Sequence, residues 1–157
     1  MTPHSRETLL ALADRAEKAT GPDRELDELI SAAVEGAVRE VQQDGRTAYH
    51  SLDGGTWVHI RVPQPGYTAS LDAAMSLVPE GWRWVLRQAT ADECNGAFFC
   101  RLESGDFKSI TWGKGGEYIT DVISGVDVFC WSATPALALV AAALRAHATL
   151  EPTGEKA

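Results

Sequence analysis

The stretch "SATPALALVAAALRAHA", residues 132–148, decides how the rest of the chain is read. Thr134 and Pro135 make a helix start. A threonine hydroxyl can cap the first turn, and proline suits the first helical position because its missing N–H would have no partner there. Leu137, Val140 and Leu144 then share one face, Leu139 points nearly the other way, and alanines fill the remainder. A helix that is apolar all round needs cover on more than one side. The segment is therefore read as a core helix. A sheet lies on one side of it, and the N-terminal helices or another subunit on the other.

Working outward, residues 6–19 place Leu9, Leu12, Ala13 and Ala16 at helical spacing. "TGPD" interrupts, with Gly21 closing one helix and Pro22 suited to the first turn of the next. A second helix is predicted over 23–43, with the stripe Leu26, Leu29, Ile30, Ala33, Ala37 and Val41, and "DGRTAYHSLDGG" is read as a loop. "TWVHIRV" (56–62) alternates as a strand does, with Trp57, His59 and Arg61 on one face. Residues 70–78 form a short helix behind the N-cap Ser70. "WRWVLRQ" (82–88) sets Trp82, Trp84 and Leu86 against Arg83, Val85 and Arg87. Strands are expected at 97–103, 107–112 and 117–123, with "SGD" and "GKGG" as hairpin turns between them. Residues 126–131 are a further strand or an apolar connection. The expected fold is α+β: one domain over 1–157 with a largely antiparallel sheet of about 4–6 strands, sandwiched by helices. Its parts are a helical hairpin (5–43), the sheet (56–131), the core helix (134–148) and a disordered tail (149–157).

The chain has 157 residues and a net charge of −8. That charge disfavours direct nucleic-acid binding, which calls for a basic surface. Residues 1–53 carry 11 Asp/Glu against 6 Lys/Arg, so the helical front is the most acidic part. The acid is either a solvated helix face or a surface for a basic partner; on the second reading Glu25, Asp27 and Glu28 are the candidates. No apolar run is long enough to cross a bilayer. The N-terminus lacks the pattern of a secretory signal, so a cytoplasmic setting is expected, with no membrane role. Cys94, Cys100 and Cys130 are odd in number and have no CxxC spacing, which fits reduced thiols.

Three segments, "ATGPDRELD" (19–27), "YTASLDAAMSLVPEGWRW" (67–84) and "ATPALALVAAALRAHA" (133–148), together resemble a set of small phage and prophage proteins, some with a phage ABA-sandwich domain. The resemblance covers a quarter to a third of the chain. It implies a sheet between helical layers and carries no catalytic residues. Residues 89–131 depart from the pattern, so particular function is expected there.

Motifs for chemistry are thin. "WGKGGEY" (112–118) has glycines around Lys114 but lacks the GxxxxGK[ST] order of a phosphate loop; a hairpin turn accounts for it. His4, His50, His59 and His147 have no ligand-like spacing, so no metal and no cofactor is expected. Cys100 with His59 is a conceivable nucleophile pair, but alternation puts Cys100 on the apolar face with Phe98 and Leu102. The strongest constellation is Trp57, His59 and Arg61 on one strand face, Arg83 and Arg87 on another, and Phe99 with Arg101 on a third. If these coincide, the sheet presents arginines among aromatics, fit for a protein or an anion. The alternative is that the arginines pair with acids of covering helices. The leading expectation is a non-enzymatic interaction protein of phage or prophage type. It would bind a host or phage protein, with inhibition of a host defence complex as one version. The rivals are a small anionic-ligand binder or enzyme using the arginine–aromatic face, and a homodimer joined through the last helix.

Overall fold

The computed structural model describes residues 5–35, 37–41, 43, 46–51, 56–60, 65–90, 97–112, 118–124 and 126–150; for 37–41, 46–51, 56–60, 106–112 and 118–124 it describes the backbone. The elements in chain order are α1 (Arg6–Lys18), α2 (Arg24–Glu35), β1 (Ala37–Val41), β2 (Arg46–Ser51), β3 (Thr56–Ile60), α3 (Leu71–Met75), β4 (Arg83–Gln88), β5 (Phe98–Glu103), β6 (Asp106–Trp112), β7 (Tyr118–Ser124), β8 (Asp127–Ser132) and α4 (Pro135–Leu150). The fold is α+β, and every described strand pairing is antiparallel.

Helix α4 begins as its sequence requires: the Thr134 hydroxyl accepts from the Leu137 amide at 3.2 Å. Leu137, Leu139, Val140 and Leu144 are all fully buried. The cover is the chain itself. Arg145 donates to Asp14 and Glu17 of α1, each at 2.8 Å, so its face of α4 meets α1. At helical spacing, that face also carries Ala138, Ala141 and Ala142. Helix α1, which packs against α4, buries the small residues Ala13 and Ala16 beside Leu9 and Leu12. The rest of α4 packs on β5, β8, β4 and α3. Two polar contacts lock the arrangement. Ser132 at the end of β8 donates its hydroxyl to the Ala16 carbonyl at 2.9 Å, and His147 Nε2 lies 2.7 Å from the Leu77 carbonyl. A buried hydroxyl with a partner avoids the desolvation cost of an orphan.

The strands do not form one sheet of 4–6. Among the described residues they make three ladders: β1-β2-β3, β4-β5-β8, and the β6-β7 hairpin. The ladder under α4 has three strands. The predicted second helix is also too long. It stops at Glu35, and residues 37–41 pair as β1 with β2. Ala33, Ala37 and Val41 follow helical spacing, but the sequence has a glycine, a poor helix former, at 36, and the branched Val38 and Val41 suit a strand. The region read as the loop "DGRTAYHSLDGG" contains β2, held between β1 and β3. Asp23, rather than Pro22, sets the start of α2: its carboxylate accepts from the Leu26 amide at 3.0 Å.

"SGD" is not a hairpin turn between paired strands. β5 pairs with β4 and β8, while β6 pairs with β7, so the hairpin is an excursion between β5 and β8. Its two ends are tied where the Ser104 amide donates to the Val126 carbonyl at 2.9 Å. The helices also fail to sandwich this ladder. α1 and α4 lie on one face, while Val85 and Phe129 on the other are 51% and 61% exposed.

A candidate binding face on the open side of the ladder

Alternation along three strands sorts their side chains into two layers. Cys100, Leu102, Cys130 and Ser132 are buried toward α4. The register then stacks the opposite layer in rows: Arg83 beside Glu103 and Asp127, Val85 beside Arg101 and Phe129, and Arg87 beside Phe99 and Trp131. This layer faces solvent.

Its contacts are specific. Arg101, at the centre, makes a two-pronged pair with Asp127, with its Nε 3.0 Å and an Nη 2.9 Å from the carboxylate. Glu103 lies 3.3 Å from the same guanidinium as an ion pair without hydrogen-bond geometry. The hydrogen bond to Asp127 raises the Arg101 pKa, so the centre of the face keeps its charge. The Arg87 guanidinium lies over the Phe99 ring at 5.2 Å and the Trp131 ring at 5.9 Å. Phe99 in turn contacts Trp131 (4.8 Å between centroids) and Phe129 (6.2 Å). Cation–π and tilted aromatic pairs of this kind are worth about 0.5–1 kcal/mol each, enough to hold the rings in place. Arg83 donates to the Gly105 carbonyl at 3.0 Å. The result is a pre-ordered surface of arginines and aromatics, the residue types that concentrate binding energy at protein interfaces.

Of the expected site residues, Arg83 and Arg87 do share a face with Phe99 and Arg101. Trp57 and His59 lie on β3, in a different ladder. Arg61 and Lys114 lie outside the described residues. Asp127, Phe129 and Trp131 are not among the residues expected from sequence, where 126–131 reads equally as a strand or an apolar connection. The period-2 pattern of "DVFCWS" carried the signal, with Asp127 marking the solvent side. The suggested Cys100–His59 pair has its two residues on separate ladders, and burial pushes the Cys100 thiol up to about 12. Burial, reinforced by Glu17, raises Cys130 as well. Both are buried free thiols, as their apolar surroundings suggested.

The acidic front divides. Glu25 is exposed, with 76% of its side chain accessible, and bridges to Arg15 at 2.9 Å; Glu28 is exposed too. Asp27 is not a surface group. It is 5% exposed, and its carboxylate accepts from the Thr68 amide at 2.8 Å, tying α2 to the loop before α3. Desolvation raises its pKa, partly opposed by that hydrogen bond. A hollow of about 390 Å³ beside α1 is lined in part by Arg15 and Asp23, which already pair at 2.8 Å. Among the described residues no three His, Cys, Asp or Glu side chains gather as metal ligands, and no helix is long and apolar enough to cross a membrane.

No family model matches the chain, and neither curated proteins nor solved structures provide a match.

Proposed function

We propose that this chain is a non-enzymatic binding protein that docks a host or phage protein on the open face of β4-β5-β8. The observation that supports it is the 61% exposed Phe129, set beside Val85 and an ordered Arg87–Phe99–Trp131 cluster. An uncovered ladder face that sets exposed apolar residues among arginines and acids is the kind of surface that marks an interaction site. The phage or prophage setting, and inhibition of a host defence complex as one version of it, rest on the three resembling segments. The exposed acids Glu25 and Glu28 would speed encounter with a basic region of the partner rather than supply the contact.

The rivals lose ground to particular residues. Arg101, the central cation, is already paired twice, which weakens the case for a small anion. Helix α4 is covered by its own chain, which leaves no alanine seam for a second copy. The test is capture from phage-infected host lysate with wild type, Phe129→Ala and the distant control Leu150→Ala. Phe129→Ala should lose the captured protein while keeping the wild-type urea midpoint, and Leu150→Ala should retain it. Equal capture by all three would overturn the assignment of the face.

A further inference from the structure

Cys100 and Cys130 stand directly opposite each other on β5 and β8. The Ser104 amide donates to the Val126 carbonyl, which makes these two residues a hydrogen-bonded pair of the antiparallel ladder. Such pairs recur at every second residue, so Leu102 with Val128 and Cys100 with Cys130 are hydrogen-bonded pairs too. The Cα atoms of such a pair lie about 5.5 Å apart, within the roughly 4.4–6.8 Å that a disulfide spans. Both side chains point the same way, into the layer under α4, and both are free thiols. Cross-strand Cβ atoms stand about 4.5–5.5 Å apart, against about 3.5–4.5 Å in a disulfide. The two strands must therefore draw in by about 1 Å, which leaves the bond closable and readily reduced.

Helix α4 shields the pair. Cys100 and Cys130 are 0% and 1% exposed. The Cys130 thiol also bonds to Glu17, whose carboxylate is held by Arg145 of α4. A thiol attacks only as its thiolate, and burial, with a carboxylate alongside Cys130, suppresses that form. Reaction waits for α4 to lift. We infer that Cys100 and Cys130 are a redox latch: when the α4 layer opens to a small-molecule disulfide, they close into a cross-strand bond that fastens β5 to β8. One cysteine thiolate attacks the small disulfide, forming a mixed disulfide and expelling one small thiolate. The other cysteine thiolate then attacks the protein sulfur of the mixed disulfide and expels the second. The two protein thiols lose two electrons to the small disulfide, and their two protons leave with the two small thiols. The new bond brackets the β6-β7 excursion, which departs after β5 and returns at β8. The latch is independent of what docks on the open face.

The probe is oxidised glutathione, acting on the whole protein with Cys94→Ser so that a single intramolecular pairing is possible. Under folding conditions the monomer should lose about two mass units, the two hydrogens of the closing step, and excess dithiothreitol should restore them. The reaction should run at least about tenfold faster in urea just below the unfolding transition than without urea, because urea promotes the opening of α4 before the protein unfolds. In a glutathione redox buffer, closing should be at least about tenfold more favourable in the folded protein than in protein unfolded by urea, since register places the two sulfurs together and a random loop does not. Adding Cys100→Ser should halt the reaction at a mixed disulfide on Cys130. If Cys94→Ser fails to fold, chymotryptic digestion of oxidised wild type identifies the same bond, because cleavage at Phe98 and Phe99 separates Cys94 from Cys100. No loss of mass, an adduct that never resolves, covalent dimers in place of the monomer, a rate indifferent to urea, or an equilibrium no better in the folded protein than in the unfolded each overturns the latch.

Discussion

Leu139→Ala tests whether α4 is covered on both flanks. Leu139 points nearly opposite Leu137 at helical spacing, yet both are fully buried. The substitution removes three carbons. At about 0.8 kcal/mol per buried methylene the transfer loss alone is about 2.4 kcal/mol. The hole left behind adds to this where the neighbours cannot collapse, and buried Leu→Ala changes span about 2–5 kcal/mol. Ala138 and the other alanines along α4 have no longer side chain that could swing into the gap. Alanine's better helix propensity returns only a few tenths of a kcal/mol. A net loss of about 3 kcal/mol follows. With a urea slope of about 2 kcal/mol/M, the midpoint should fall by about 1.5 M. Leu150→Ala, at a position 58% exposed, should stay within about 0.5 kcal/mol of wild type. A Leu139→Ala melt that overlays the Leu150→Ala melt would refute the double cover and reopen α4 as a surface for another subunit.

Asp27→Asn should flatten part of the pH dependence of stability. Burial holds the Asp27 carboxyl above its ordinary value of 3.8, so the native state binds this proton more tightly than the unfolded chain does. Its contribution is present in full below that value and is lost as pH rises through the native one. The asparagine variant should therefore gain on wild type in urea midpoints taken from pH 4 to 7; parallel curves would remove Asp27 as the cause. Asp23→Ala should cost about 1–2 kcal/mol at neutral pH, because it removes the cap on the Leu26 amide and the partner of Arg15. The Leu26 amide, with Arg15 behind it, holds the Asp23 carboxyl below 3.8. This loss should therefore shrink as acid protonates the wild-type side chain, and a gap that persists at the lowest pH would contradict it. In a thiol-reagent time course on folded protein, Cys100 and Cys130 should stay unreacted until urea opens the core, when all three thiols of the chain become available. Rapid native labelling of either would show that the α4 layer opens readily.

Much of the core was legible because one periodicity repeats over many residues. Four turns of α4 and three of α1 each restate the same face, so chance is quickly excluded. Short elements offer no such repetition. Ala33, Ala37 and Val41 satisfy a helix as well as Val38 and Val41 satisfy a strand, and only Gly36 separates the readings. For β2, "RTAYHS" has too little alternation to outweigh its turn-rich flanks; its place comes from pairing with β1 and β3, a tertiary fact. Ladder membership was hidden for the same reason. Nothing local in "SGD" says that β6 leaves β5 for β7.

The open face was half legible, and the missing half explains its chemistry. Alternation separates Arg83, Val85 and Arg87 from Trp84 and Leu86, but it cannot tell which layer a helix will cover. Size ordinarily helps, since large apolar residues favour the interior. In β5 and β8 size does not separate the layers. The layer under α4 holds Cys100, Cys130 and Ser132 beside Phe98, Leu102 and Val128, while Phe99, Phe129 and Trp131 stand on the outside. An alanine-rich helix packs closely, and the small Cys100, Cys130 and Ser132 of the inner layer suit that approach. It places no demand on the outer layer. A stable monomer would be served there by threonine or lysine, and the docking proposed above is the reading that gives three aromatics at those positions a use.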